Sequence, residues 1–74
     1  MSKLPTIRQL QYFVAVADHL SFRTAAEACN VTQPTLSAGL AELEDCLGDR
    51  IFDRTSRHVA LTRTGQDLVA RARM

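Results

Sequence analysis

Apolar residues along this 74-residue chain recur at helical spacing in four stretches, broken once by an alternating pattern. The clearest stretch is Thr32–Leu47, T-Q-P-T-L-S-A-G-L-A-E-L-E-D-C-L. Leu36, Leu40, Leu43 and Leu47 fall there at steps of four, three and four, which places them on one face of a helix. Thr32 stands where an N-cap belongs and Pro34 falls in the first turn, where a missing N–H breaks no hydrogen bond. Val31 and Leu36 have the spacing of a hydrophobic staple, and Gly48 can take the left-handed conformation that ends a helix. Upstream, Thr6-Ile7-Arg8-Gln9 has the form of a capping box. The helix it opens has an apolar face of Ile7, Leu10, Phe13, Val14 and Ala17, broadened by Tyr12 and Val16, and Asp18, His19 and Leu20 close it. Ser21 caps a short helix from Phe22 to Cys29, with Phe22, Ala25, Ala26 and Cys29 buried and Arg23, Thr24 and Glu27 facing out. Beyond Gly48, Val59 and Leu61 alternate with period two. This predicts a small β-hairpin with Thr55 and Ser56 near its tip and Arg54, Arg57 and His58 projecting from it. Thr62 then caps a last helix with Leu68, Val69 and Ala72 on one face and Gly65 allowing close backbone packing.

Only Asn30 and Val31 separate the second helix from Thr32, so the two form a helix-turn-helix. The helix after the turn changes character along its length. Its start offers Thr32, Gln33, Thr35 and Ser37, which are polar and uncharged; its end carries Glu42, Glu44 and Asp45. A helix that leads with uncharged polar side chains and its positive dipole end suits a DNA major groove. The plainer alternative is an amphipathic helix with no partner, and tight helical corners also occur in enzymes and bundles.

Charge sharpens this choice. The chain is nearly neutral at +1. Residues 1–40 carry three basic and two acidic side chains, 41–49 four acidic and no basic, and 50–74 six basic and two acidic, for local nets of +1, −4 and +4. A basic block is what a phosphate-binding surface needs, although a solvated arginine-rich surface has the same composition. The length allows one small domain with a limited core. The sequence shows neither a run of membrane-span length nor a signal-peptide h-region, which predicts a cytoplasmic protein. Cys29 and Cys46, at mostly apolar helical positions, are expected to be reduced and at least half-buried. No C-x-x-C or H-x-x-x-H pair supports a metal site, and no cofactor is implied. Ser21, Ser37 and Ser56 lack an evident His–carboxylate partner and there is no phosphate-binding Gly-rich loop, which argues against an enzyme.

The segments L-x-Y-F-V-A-V-A (10–17), S-F-R-T-A-A (21–26), V-T-Q-P-T-L-S (31–37), L-E-D-C-L-G (43–48), I-F-D-R (51–54) and L-T-R-T-G (61–65) together resemble the N-terminal winged helix-turn-helix domain of LysR-type transcriptional regulators. They cover nearly the whole chain, and their wording is most similar to the peroxide-responsive OxyR-type branch. The resemblance implies a mainly α fold with a three-helix core, a β-hairpin wing and the start of a linker helix. It implies a winged helix-turn-helix over residues 1–61 and a dimerisation helix beginning at 62–74, with Leu68, Val69 and Ala72 on the pairing face and a C-terminal effector domain absent. Thr32, Gln33, Pro34, Thr35 and Ser37 match recognition positions; Gln33 can pair with an adenine edge and Pro34 can contact a thymine methyl. Ser21, Arg23 and Thr24 match phosphate-contacting positions, and Arg54, Arg57 and His58 match the wing. The implied partners are double-stranded DNA with an inverted repeat and a second copy of the chain, with higher oligomers in a full-length parent and neither membrane nor metal. The sensing cysteines of an OxyR-like parent would lie outside this chain. Ala38, Gly39 and Ala41 depart from the family, which often has basic or long polar residues there. Those changes predict weaker DNA binding by the isolated domain. Gly39 also makes a soft spot, unless it lets a neighbouring helix or the DNA backbone come close. The rival function is a winged-helix protein-interaction module, which the near-neutral charge and the acidic run at 42–49 favour.

Overall fold

The computed structural model describes residues 4–55 and 58–72, with the backbone alone for Arg54, Thr55 and His58. The elements run α1 (Ile7–His19), α2 (Phe22–Cys29), α3 (Gln33–Leu47), β1 (Phe52–Thr55), β2 (His58–Leu61) and α4 (Arg63–Ala72). Each helix starts as its cap residue requires. Thr6 Oγ1 accepts the Gln9 N–H at 3.1 Å while Gln9 Oε1 accepts the Thr6 N–H at 3.1 Å, a complete capping box. Ser21, Thr32 and Thr62 accept N–H groups of α2, α3 and α4 in turn. Three helices end on a left-handed residue, namely Leu20, Asn30 and Gly48. At the end of α2 the Val31 N–H donates to the Ala26 carbonyl at 3.0 Å and the Asn30 N–H to that of Glu27 at 3.1 Å. This Schellman closure fixes the turn between α2 and α3.

The core lies where α1, α2 and α3 meet the first strand. Phe13, Val16, Ala25, Leu36, Leu40, Leu43 and Ile51 are fully buried, and Phe52 is nearly so. The Phe52 ring centroid lies 5.5 Å from that of Phe13 and 5.9 Å from that of Phe22, the latter edge-on, so the hairpin is anchored to both α1 and α2. The antiparallel strands pair Phe52 with Leu61 and Thr55 with His58. Val59 and Leu61 are half-buried while Ala60 is exposed, as the alternation requires.

Some expected burial is corrected. Ile7 is 76% exposed, and the buried face of α1 is Gln9, Tyr12, Phe13 and Val16, rotated from the Ile7-centred face. Leu47 is exposed because α3 outruns the core in its last turn. Phe22, Thr24 and Cys29 are half-buried at the edges of α2. Gly39 is explained by a neighbouring helix. A Cβ there would lie 2.7 Å from Cδ2 and 2.8 Å from Cε2 of the buried Tyr12 ring, so its absence lets α1 and α3 close together. Gly65 plays the same part in α4, where a Cβ would collide with the Ile51 carbonyl.

Candidate nucleic-acid interface

The fold turns the first half of α3 outward. Leu36 and Leu40 hold the helix to the core, so Thr32, Gln33, Pro34, Thr35 and Ala38 stand exposed on the other side and Ser37 is half-buried. Thr32 is occupied by its cap. Its Oγ1 accepts the Thr35 N–H at 3.3 Å and its hydroxyl donates to Thr35 Oγ1 at 2.9 Å. The Thr35 hydroxyl therefore keeps its own proton for an outside acceptor. Gln33 presents an amide with both donor and acceptor, and Pro34 an apolar ring. At the start of α2, Ser21 Oγ accepts the Thr24 N–H at 3.2 Å and keeps its proton, beside the exposed guanidinium of Arg23. The start of α3 is thus exposed and uncharged, and the start of α2 places a free hydroxyl proton on Ser21 near the exposed Arg23.

The other expected sites fall differently. Arg54 and His58 are in the paired strands, but their side chains lie outside the description, and Arg57 lies outside the described residues altogether. On α4, Leu68 and Val69 are half-buried against the core and Ala72 is exposed. Cys29 and Cys46 are free thiols, both half-buried. Among the described residues no cluster of three or more His, Cys, Asp or Glu can hold a metal ion. Nor is any helix there long and apolar enough to cross a membrane.

The acidic run lies at the surface, with Glu42, Asp45 and Asp49 exposed and Glu44 half-buried, and three of its carboxylates also tie the fold together. The buried Gln9 amide N–H donates to the Glu42 carboxylate at 3.0 Å, tying α1 to α3. Glu44 Oε2 accepts the Ile51 N–H at 2.9 Å. Asp49 accepts the Arg50 N–H at 2.8 Å and the Thr64 hydroxyl at 2.6 Å. These bonds hold its carboxyl below the usual value of 3.8, the Thr64 hydroxyl contributing most and the Arg50 N–H next. The Thr62 hydroxyl donates to the Arg50 carbonyl at 2.6 Å, and the Thr62 N–H to that of Ile51 at 3.1 Å. Spacing arguments missed this hub because its partners are far apart in the chain; Gln9 and Glu42 are separated by 33 positions.

Residues 7–66 match the family described as bacterial regulatory helix-turn-helix protein, lysR family. The chain is 52% identical over 67 residues to the DNA-binding transcriptional dual regulator OxyR of Escherichia coli, covering 90% of this chain and 22% of that protein. It is 46% identical over 74 residues to the HTH-type transcriptional regulator EstR of Acinetobacter baylyi, covering all of this chain and 25% of that protein. Among solved structures it is similar to a full-length OxyR variant from Pseudomonas aeruginosa, at TM-score 0.89 and 45% identity, over 96% of this chain and 24% of the other. It is also similar to the chain in the complex of BenM DBD with catB site 1 DNA, at TM-score 0.86 and 39% identity, over 90% of this chain and 74% of that one. The chain therefore spans roughly a quarter or less of the curated relatives described here.

Proposed function

The chain belongs to the lysR family of bacterial regulatory helix-turn-helix proteins, and on that premise we propose that it is the sequence-specific DNA-binding domain of a transcription regulator. Residues 1–61 form the reading domain, and 62–74 begin a linker helix through which two copies pair on an inverted repeat. The first turn of α3 enters the major groove. There Gln33 hydrogen-bonds a base edge, Pro34 packs on a thymine methyl, and Thr35 and Ser37 donate to base or phosphate oxygens. Ser21, Arg23 and Thr24 anchor one phosphate strand, and Arg54, Arg57 and His58 extend the contact through the wing. Leu68, Val69 and Ala72 contribute to the pairing face, and the rest of a longer parent supplies the effector response and higher assembly. Similarity to proteins named hydrogen peroxide-inducible genes activators supports a peroxide-responsive parent, which we place in the cytoplasm with its sensing outside this domain.

The observation that carries this reading is the exposed, uncharged first turn of α3, held outward by its cap while its other face is buried. Glu42, Glu44 and Asp49 each have a structural use, so the acidic run does not require a protein partner to account for it. The test is selection from a randomised duplex library at two salt concentrations. Recovery of a two-fold symmetric motif is the expected result. Salt-sensitive retention with no motif would refute sequence specificity, and no retention even at low salt would refute DNA binding.

A further inference from the structure

The cleft between α1 and the turn of the helix-turn-helix differs in its charged lining from the cleft at the far end of α3. Arg8, Gln11 and Tyr12 of α1 line one side, and the end of α2 with Asn30 and Val31 lines the other. Among the described residues no carboxylate lines it, whereas the cleft at the far end of α3 is lined by Glu44, Asp45 and Asp49 beside Arg50. Arg8, Gln11 and Asn30 are all exposed, so a guanidinium and two amides open to solvent there. The first turn of α1 has no acidic residue, which leaves the positive end of that helix dipole uncompensated beside Arg8. Asn30 sits on a rigid support, because the Schellman closure holds it at φ 60°.

The place of this cleft in the fold gives it a use. Asn30 and Val31 immediately precede Thr32, so the cleft borders the first turn of α3 at the end of α2 opposite Ser21, Arg23 and Thr24. The eight residues of α2 rise about 12 Å at 1.5 Å each, and a major groove is about 12 Å wide. The two ends of α2 are thus separated by about the width of one groove.

We infer that the Arg8 cleft seats a DNA backbone phosphate on the groove wall opposite the one met by Ser21, Arg23 and Thr24. The guanidinium is the cation, its planar fork matching two phosphate oxygens, and Gln11 and Asn30 are supporting donors. This inference rests on the DNA-binding reading above and adds a second phosphate anchor, on α1, to it.

The experiment measures affinity of the 74-residue chain for a short random-sequence DNA duplex across a salt series. Arg8→Ala and, as a charge control away from the cleft, Arg50→Ala are compared with the unaltered chain, each with its fold checked by circular dichroism. Arg8→Ala is expected to flatten the slope of log K against log salt by about 0.9 per bound chain, equivalent to roughly eightfold weaker binding at about 0.1 M salt. The loss should be the same on unrelated sequences, and Arg50→Ala should keep the original slope. If the unaltered chain binds with a salt-dependent slope that Arg8→Ala leaves intact, or that both variants lower equally, the cleft assignment falls while the DNA reading stands. If the unaltered chain binds no duplex, both fall.

Discussion

At the first turn of α3, Gln33, Pro34 and Thr35 stand exposed without a charge among them, whereas two turns further on Glu42 and Glu44 carry charge that the fold itself uses. The helix is continuous and its buried leucines are continuous, so packing does not separate the two ends. What separates them is where the polar atoms point. At the start, the polar groups beyond the cap pair have no partner within the described fold and are open to solvent. At the end, Glu42 receives the Gln9 amide and Glu44 receives the Ile51 N–H, locking the helix to α1 and to the residue that leads into β1. A count of charges would score the acidic end as repelling DNA or recruiting a protein. The hydrogen bonds show that two of its carboxylates tie the helix to Gln9 of α1 and to Ile51.

The largest effect is expected where the acidic end meets α4. Gly65→Ala would push a methyl into the Ile51 carbonyl, with the Ile51 carbonyl carbon and Leu61 Cδ2 each 3.1 Å from the new atom. Overpacking of this kind costs roughly 2–3 kcal/mol, read as a lower midpoint in urea unfolding with an unchanged m-value. A wild-type midpoint would mean the junction is looser than described.

A matched pair of substitutions then sharpens the contrast between the two ends. Glu44→Ala leaves the Ile51 N–H unpaired and should cost about 1–3 kcal/mol of stability, with the affinity of the folded fraction for DNA unchanged. Gln33→Ala should do the reverse, shifting stability by no more than about 0.5 kcal/mol and relaxing selection at one base position by about 1–3 kcal/mol. If Glu44→Ala altered base preference, or Gln33→Ala unfolded the domain, the division of labour along α3 would be wrong.

Elements and caps were legible from sequence because they depend on neighbours. Thr6 with Gln9, Ser21 with Thr24 and Thr32 with Thr35 each act across three positions, and the period-two residues Val59 and Leu61 mark a strand by themselves. The candidate reading surface was legible for the same reason, since Gln33, Pro34 and Thr35 follow directly from a cap and a buried Leu36. Tertiary choices were not. A bare Cα at Gly39 lets Tyr12 lie against α3, on the face of α1 that also buries Phe13 and Val16, and Ile7 falls on the opposite, exposed side. Spacing alone could not tell a glycine that weakens a helix from one that admits a ring.

That ambiguity can be broken by experiment. Gly39→Ala gains about 1 kcal/mol of helix propensity but forces a methyl against the buried Tyr12 ring, at a cost of about 1–3 kcal/mol. The net expectation is destabilisation of roughly 1 kcal/mol. In a double-mutant cycle, Tyr12→Leu with Gly39→Ala should lose less than the two single changes added together. Additive losses would return Gly39 to a simple helix-weakening role.

The smallest expected effect concerns pH, and it probes the same junction. Asp49 has its carboxyl lowered from 3.8 by the Thr64 hydroxyl first and the Arg50 N–H second. A carboxyl whose value is lower folded than unfolded adds stability that is fully present above the unfolded value. That stability is lost as pH falls through the folded value, because the folded state must then take up the proton it had excluded. The carboxylate is fully exposed, so water screens it and the effect is small. Thr64→Val removes the leading cause while keeping the shape of the side chain. Its stability deficit against the unaltered chain should be constant at neutral pH and shrink once the pH drops below about 3.8. A deficit that stays level down to acid unfolding would show that Thr64 acts by packing and that the Asp49 bond contributes nothing to holding α4 against the end of α3.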